Sequence, residues 1–126
     1  MTYYKPGQLS QHFWRKEFAC KCGCGFDTVD AELISALETL RWELGEHAVV
    51  VNSGCRCEAY NKLIGGSRDS QHLLGKAADI YVRDAPNADV QALAEIRFRD
   101  RYGIGKYDRF THIDARSKYA RWDLRS

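Results

Sequence analysis

The chain has 126 residues, enough for one domain of ordinary size, and its 44% hydrophobic and 12% aromatic content supplies a core and excludes a disordered chain. Nineteen basic and 17 acidic residues leave a net charge of +2, too weak a bias to argue for nucleic acid, although it would not repel an anionic polymer. No run of about 18 or more apolar residues exists, so no membrane span is expected.

Residues 1–25 read as an irregular arm ending in a Gly/Cys turn. Its start, "MTYYKPGQLSQHFWRKEF", lacks the apolar stretch of a signal peptide, so synthesis in the cytoplasm is expected. In "DTVDAELISALETLRWELG", Leu33, Leu37, Leu40 and Leu44 recur at helical spacing. Asp27 or Thr28 can cap that helix, and Gly45 can stop it. "HAVVVNSG" reads as a buried strand, "RCEAYNKLIGG" as a short helix closed by Gly65 and Gly66, and "KAADIYV" as a second strand. A second amphipathic helix is expected from Asp89 to Arg101, ending at Gly103, and "FTHIDAR" is a third strand with clean alternation. No repeat or linker interrupts the chain, so 1–126 reads as a single α+β domain, a small mostly antiparallel sheet with flanking helices. A monomer is expected.

Five cysteines are many for this length, and the number is odd. Cys20, Cys22 and Cys24 crowd into "CKCGCG", and Cys55 and Cys57 into "GCRCE". In a cytosolic chain disulfides are not the default. A second, structural zinc and a hairpin of reduced thiols are equally good readings, because C-x-C is tighter than the usual C-x-x-C knuckle. At least one thiol stays unpaired unless a metal or a second chain takes it.

The stretch "SQHLLGKAADI" holds His72 seven residues before Asp79, with Gly75 between them. On the "RFTHIDAR" strand, Phe110, His112 and Asp114 share one side, while Thr111 and Ile113 point to the other. On "KAADIYV", Asp79 shares a face with Ala77 and Tyr81. If the two strands are neighbours, Asp79 and His112 converge and His72 arrives from the preceding loop. Two imidazoles and one carboxylate make a known kind of catalytic zinc site with water in the fourth position. Zinc there lowers the pKa of its water to roughly 7 and polarises a carbonyl.

The blocks "SGCRCEAYN", "GGSRDSQHLLGKAADI" and "GIGKYDRFTHIDAR" resemble the three signature blocks of the zinc D-alanyl-D-alanine carboxypeptidases and related peptidoglycan endopeptidases. That family shares its fold with the hedgehog signalling domain and includes phage endolysins. The pattern S-x-H-x-x-G-x-A-x-D is matched by Ser70, His72, Gly75, Ala77 and Asp79, and the similarity runs from about Phe18 to the end. The resemblance implies His72, Asp79 and His112 as zinc ligands and Arg56 as a substrate-contacting or oxyanion-stabilising residue. A guanidinium suits either role, and Ser70 is placed to bind substrate or brace His72. Relatives carry a glutamate, aspartate or histidine base shortly before the last zinc histidine. Here "KYDRFT" offers only Asp108, and Asp114, about 7 Å along the strand from His112, is the favoured base, with orientation of a ligand as its other role. The implied activity is hydrolysis of an amide in the peptide part of peptidoglycan. With no export signal in view, a phage-encoded enzyme released on lysis is the expected delivery route.

Taken singly, these residues have ordinary explanations. His12 and His47 lack a partner at ligand spacing and read as structural. Asp108 reads better as a solvated turn residue, and Tyr81 and Tyr107 better as core aromatics than as cleft walls. Two rivals also stand: a non-catalytic, zinc-containing cell-wall-binding module, and a zinc-ribbon-like interaction protein built on the cysteines.

Overall fold

The computed structural model describes residues 4–126. Residues 1–3 of the expected arm lie outside the described residues. The elements run α1 (Ala31–Glu43), β1 (Val49–Ser53), α2 (Glu58–Leu63), β2 (Ala77–Val82), α3 (Asn87–Arg97), β3 (Gly103–Lys106), β4 (Thr111–Asp114) and β5 (Ala120–Asp123). The five strands form one sheet in the order β1-β2-β4-β3-β5, antiparallel except for the parallel β3–β5 pair. No helix of the described residues is long and apolar enough to cross a membrane.

The period-2 alternation of the strands divides the sheet into two unlike faces. Ala78, Ile80 and Val82 of β2, Ile104 of β3 and Ile113 of β4 point to one face. There they meet Leu33, Ile34, Leu37 and Leu40 of α1 and Val90 and Ala94 of α3 in a single buried cluster. Burying each large aliphatic side chain contributes roughly 1.5–3 kcal/mol relative to exposure. Asp79, His112 and Asp114 point to the opposite face, away from that cluster. The fold therefore reserves one face of the sheet for packing and the other for polar groups.

The helix boundaries differ from the expected ones for local reasons. The cap of α1 is Asp30, whose side chain accepts from the Glu32 N–H, rather than Asp27 or Thr28. Residues 27–29 lie outside the helix, and the Asp30 N–H donates to the Gly75 carbonyl at 2.9 Å. Leu44, expected on the apolar face, is the C-terminal cap residue, and Gly45 follows at φ 86°. The second long helix starts at Asn87, two residues before Asp89, and stops at Arg97 rather than Arg101. The Arg121 guanidinium donates to the carbonyl of the cap residue Phe98 and to those of Arg101 and Tyr102 in the turn that follows. Gly103 does not end this helix but opens β3. Within the arm, Gln8 and Trp14 form an isolated bridge, and Arg15–Glu17 make a 3-10 turn.

Strands β3 and β5 were not legible as strands. "GIGK" contains two glycines, and "ARWD" is half-exposed and charged, so neither carries a β pattern. The glycines of β3 are required by space. Gly105 pairs with His112 on one side and Trp122 on the other, and a Cβ at position 105 would overlap the Trp122 indole. The variant Gly105→Ala is expected to lose about 1–3 kcal/mol of stability by overpacking and to displace Trp122. Urea denaturation and tryptophan fluorescence measure these two effects.

Candidate metal centre

The centre begins with strand register. Asp79 and His112 are direct cross-strand partners in the β2–β4 pair, and a one-residue slip of either strand would turn its ligand toward the apolar core and part the two. His72 comes from the 3-10 turn Gln71–Leu74 just before β2. Ser70 caps that turn by accepting from the His72 N–H at 3.2 Å, and Gly75 closes it in the left-handed region at φ 69°. A side chain at position 75 would also overlap the Thr28 carbonyl. The short spacing from His72 to Asp79 is thus one tight turn feeding directly into a strand.

Hydrogen bonds behind the rings fix what each ring presents. His72 Nδ1 lies 2.5 Å from the Gly54 carbonyl, which can only accept, so Nδ1 carries the proton and Nε2 presents its lone pair. His112 Nε2 lies 2.7 Å from Asp114 Oδ2, which orients His112 Nδ1 the same way. Both free nitrogens face Asp79 Oδ1, at 3.3 Å from His72 Nε2 and 2.9 Å from His112 Nδ1. The three donor atoms lie within 4.8 Å of one another, and all three residues are buried. Two lone pairs and a carboxylate oxygen converging without a proton donor between them suit a cation. Imidazole and carboxylate suit zinc, with a side left open.

The three groups favour positive charge at their meeting point, whether protons on the ring nitrogens or a cation carries it. Burial opposes ionisation of Asp79, yet hydrogen bonds and charge from His112 and His72 hold its carboxyl well below the usual range. Burial likewise opposes charge on Asp114, but His112 and Arg116 keep it ionised far below the ordinary carboxylate value. Burial would lower His112, but Asp114 and Asp79 outweigh it and raise its pKa.

The group forms part of the wall of an open cleft of about 540 Å³. Arg56 reaches it from the loop after β1, a strand whose register is broken near its end by an extra residue between Val51 and Ser53. Its guanidinium lies 3.4 Å from Asp79 Oδ2, with Ser53 and Asn61 accepting its other N–H groups. Ser70 also lines the cleft.

Two sequence candidates lie elsewhere. Asp114 is fully buried behind His112 and does not face the cleft, contrary to the expectation that it is the base. Its Oδ1 accepts from the Gly103 and Arg116 backbone N–H groups and from Arg116 Nε, while Oδ2 takes His112 and Arg116 Nη2. With both oxygens committed it orients a ring, the other role considered for it. Asp108 points away and accepts from the backbone and hydroxyl of Ser126. His12 pairs with Glu38 at 2.7 Å, a structural contact.

Sequence reasoning missed Arg116, Trp122 and Asp69, and passed over Tyr107. Trp122 stands 5.0 Å from the His112 ring between centroids and donates to the Tyr107 hydroxyl, while Tyr107 stacks on Phe110 at 4.3 Å. Only Phe110 announced itself, by sharing the face of His112. Asp69 is the one carboxylate of the cleft wall besides Asp79 among the described residues.

The peptidase M15 family model matches residues 11–114, a span that includes His72, Asp79, His112 and Arg56. No match appears among the curated proteins. With more than half of its length matched and a two-histidine, one-carboxylate group suited to the metal on which these enzymes depend, the chain belongs to the peptidase M15 family of zinc peptidases.

Proposed function

We propose that the protein hydrolyses an amide bond in the peptide moiety of bacterial peptidoglycan, as a D,D-carboxypeptidase or endopeptidase. The observation that carries this reading is the His72, Asp79 and His112 group at the wall of an open cleft, with Arg56 against its carboxylate. Resemblance of the three sequence blocks to peptidoglycan peptidases supports the substrate class. Release on phage lysis belongs to the same proposal.

When bound, zinc supplies Lewis acidity for the scissile carbonyl and lowers the pKa of water at its open position. The chain does the rest. His72 and His112 offer neutral nitrogens held in one tautomer by Gly54 and Asp114, and Asp79 supplies a single negative charge. Arg56 is mostly buried and triply hydrogen-bonded, so its guanidinium is fixed in advance where negative charge develops on the substrate carbonyl oxygen. Tyr107, Phe110 and Trp122 flank the peptide with flat apolar surface. Asp69, the other carboxylate of the cleft wall, is assigned the proton-acceptor role, taking a proton from the attacking water and returning it to the leaving amine.

The test uses two defined substrates, a stem peptide ending in D-Ala–D-Ala and a cross-linked muropeptide dimer. Release of free D-Ala identifies a carboxypeptidase, and conversion of dimer to monomer an endopeptidase. Failure of the zinc-loaded protein on both contradicts the proposal and favours the wall-binding module. Asp69→Asn is expected to lower kcat by about 10²–10⁴-fold with zinc content unchanged. An unchanged kcat places the base elsewhere.

A further inference from the structure

A second cluster of metal-ligating side chains lies outside the cleft. Cys20, Cys22 and Cys24 of the N-terminal arm meet Cys57, which precedes α2, and the four sulfurs lie within 4.8 Å of one another. Cys20 and Cys22 are 3.5 Å apart at sulfur, and Cys22 and Cys57, separated by 35 positions in the chain, are 3.7 Å apart. Four thiolates arranged tetrahedrally around zinc at about 2.3 Å leave sulfur–sulfur edges of about 3.8 Å. A disulfide needs about 2.05 Å. The spacings of 3.5 and 3.7 Å are too long for a disulfide and close to those edges.

The surroundings fit thiolates as well. Backbone N–H groups of Cys57, Phe26 and Tyr60 donate to the sulfurs of Cys20, Cys24 and Cys57 respectively, each at 3.4 Å. Such donors stabilise negative charge on sulfur. Cys55 is not part of the cluster: it is buried, and its thiol donates to the Phe26 carbonyl at 3.2 Å. The odd cysteine count therefore resolves into four converging sulfurs and one buried thiol.

We propose that Cys20, Cys22, Cys24 and Cys57 bind a second zinc ion, with a structural role. Four sulfur ligands leave no position for water or substrate, which separates this centre from the one in the cleft. The ion ties the arm to the segment that positions the cleft residues. Cys55 N–H donates to the Phe18 carbonyl at 2.8 Å, Gly54 supplies the carbonyl that orients His72, and Arg56 N–H donates to the His72 carbonyl at 2.9 Å. Three successive residues, 54 to 56, thus lie between the cysteine cluster and the metal group of the cleft. The second centre shares no ligand with the cleft centre and does not depend on peptidoglycan being the substrate.

The test is elemental analysis of the protein purified under reducing conditions, together with visible and near-ultraviolet absorption after cobalt substitution. Wild type is expected to hold two zinc equivalents, His72→Ala one, Cys22→Ser one and Cys55→Ser two. The cobalt protein is expected to show thiolate-to-metal charge-transfer absorption that survives in His72→Ala. That spectrum is read on the wild type and on His72→Ala, so the test stands even if a cysteine variant fails to fold. One zinc equivalent in wild type without charge-transfer absorption, iron in place of zinc, or intact mass showing these cysteines in disulfides would overturn the proposal. So would retention of both equivalents in Cys22→Ser.

Discussion

Replacing His72 by alanine is expected to empty the cleft centre and bring hydrolysis down to the level of the metal-free protein. The ring supplies one of three donor atoms, and the remaining pair, Asp79 and His112, cannot hold zinc alone against solvent. The same change removes the donor to the buried Gly54 carbonyl, which costs about 1–3 kcal/mol of stability in the apoprotein. Zinc content, peptide hydrolysis and urea denaturation measure the three effects. Hydrolysis that persists in His72→Ala would remove this centre from the reaction.

Asp114→Asn is expected to weaken zinc binding by about 10–100-fold, the usual cost of losing a carboxylate that orients a ligating histidine. Both carboxylate oxygens accept hydrogen bonds, and an amide must turn its NH₂ against either His112 Nε2 or the Arg116 guanidinium. Arg116 is partly exposed, so its charge keeps some solvation. The expected stability loss is accordingly about 1–3 kcal/mol, the cost of leaving buried donors unsatisfied. The pattern of effects separates the two roles once open to Asp114. A general base lost at this position would lower kcat at saturating zinc and leave zinc affinity unchanged. An orienting carboxylate shifts the zinc titration first, and added zinc restores much of the activity.

The core of the fold was readable because it obeys simple periods. The leucines of α1 recur at helical spacing, the valines of β1 form a short apolar run, and Phe110, His112 and Asp114 alternate with Thr111 and Ile113 on β4. That alternation already put His112 and Asp114 on the same side as each other, and Asp79 joined them once β2 and β4 became neighbours. Roles were harder to read than positions. Asp114 and Asp108 lie at comparable distances in sequence from His112, yet one is sealed behind the ring by Arg116 and the other ties down Ser126. Only the return of the chain after β4 decides this, and nothing local in "KYDRFTHIDAR" encodes it. Trp122 and Arg116 were invisible for a related reason. Arg116 lies in the loop after β4, and Trp122 sits on β5, a short parallel strand whose neighbour, β3, has glycines in place of the side chains that would mark it as a strand. The cysteines were seen as two clusters, but bringing Cys57 beside Cys22 needed the fold of the N-terminal arm.

Digestion of purified cell-wall sacculi by zinc-loaded wild-type protein and by His72→Ala, read by mass spectrometry, tests the central claim most directly. Peptide-cleaved fragments from wild type alone, with masses that identify the bond, are the expected result. No fragments from the zinc-loaded wild type, or the same fragments from both proteins, would contradict a peptidoglycan peptidase working through His72, Asp79 and His112.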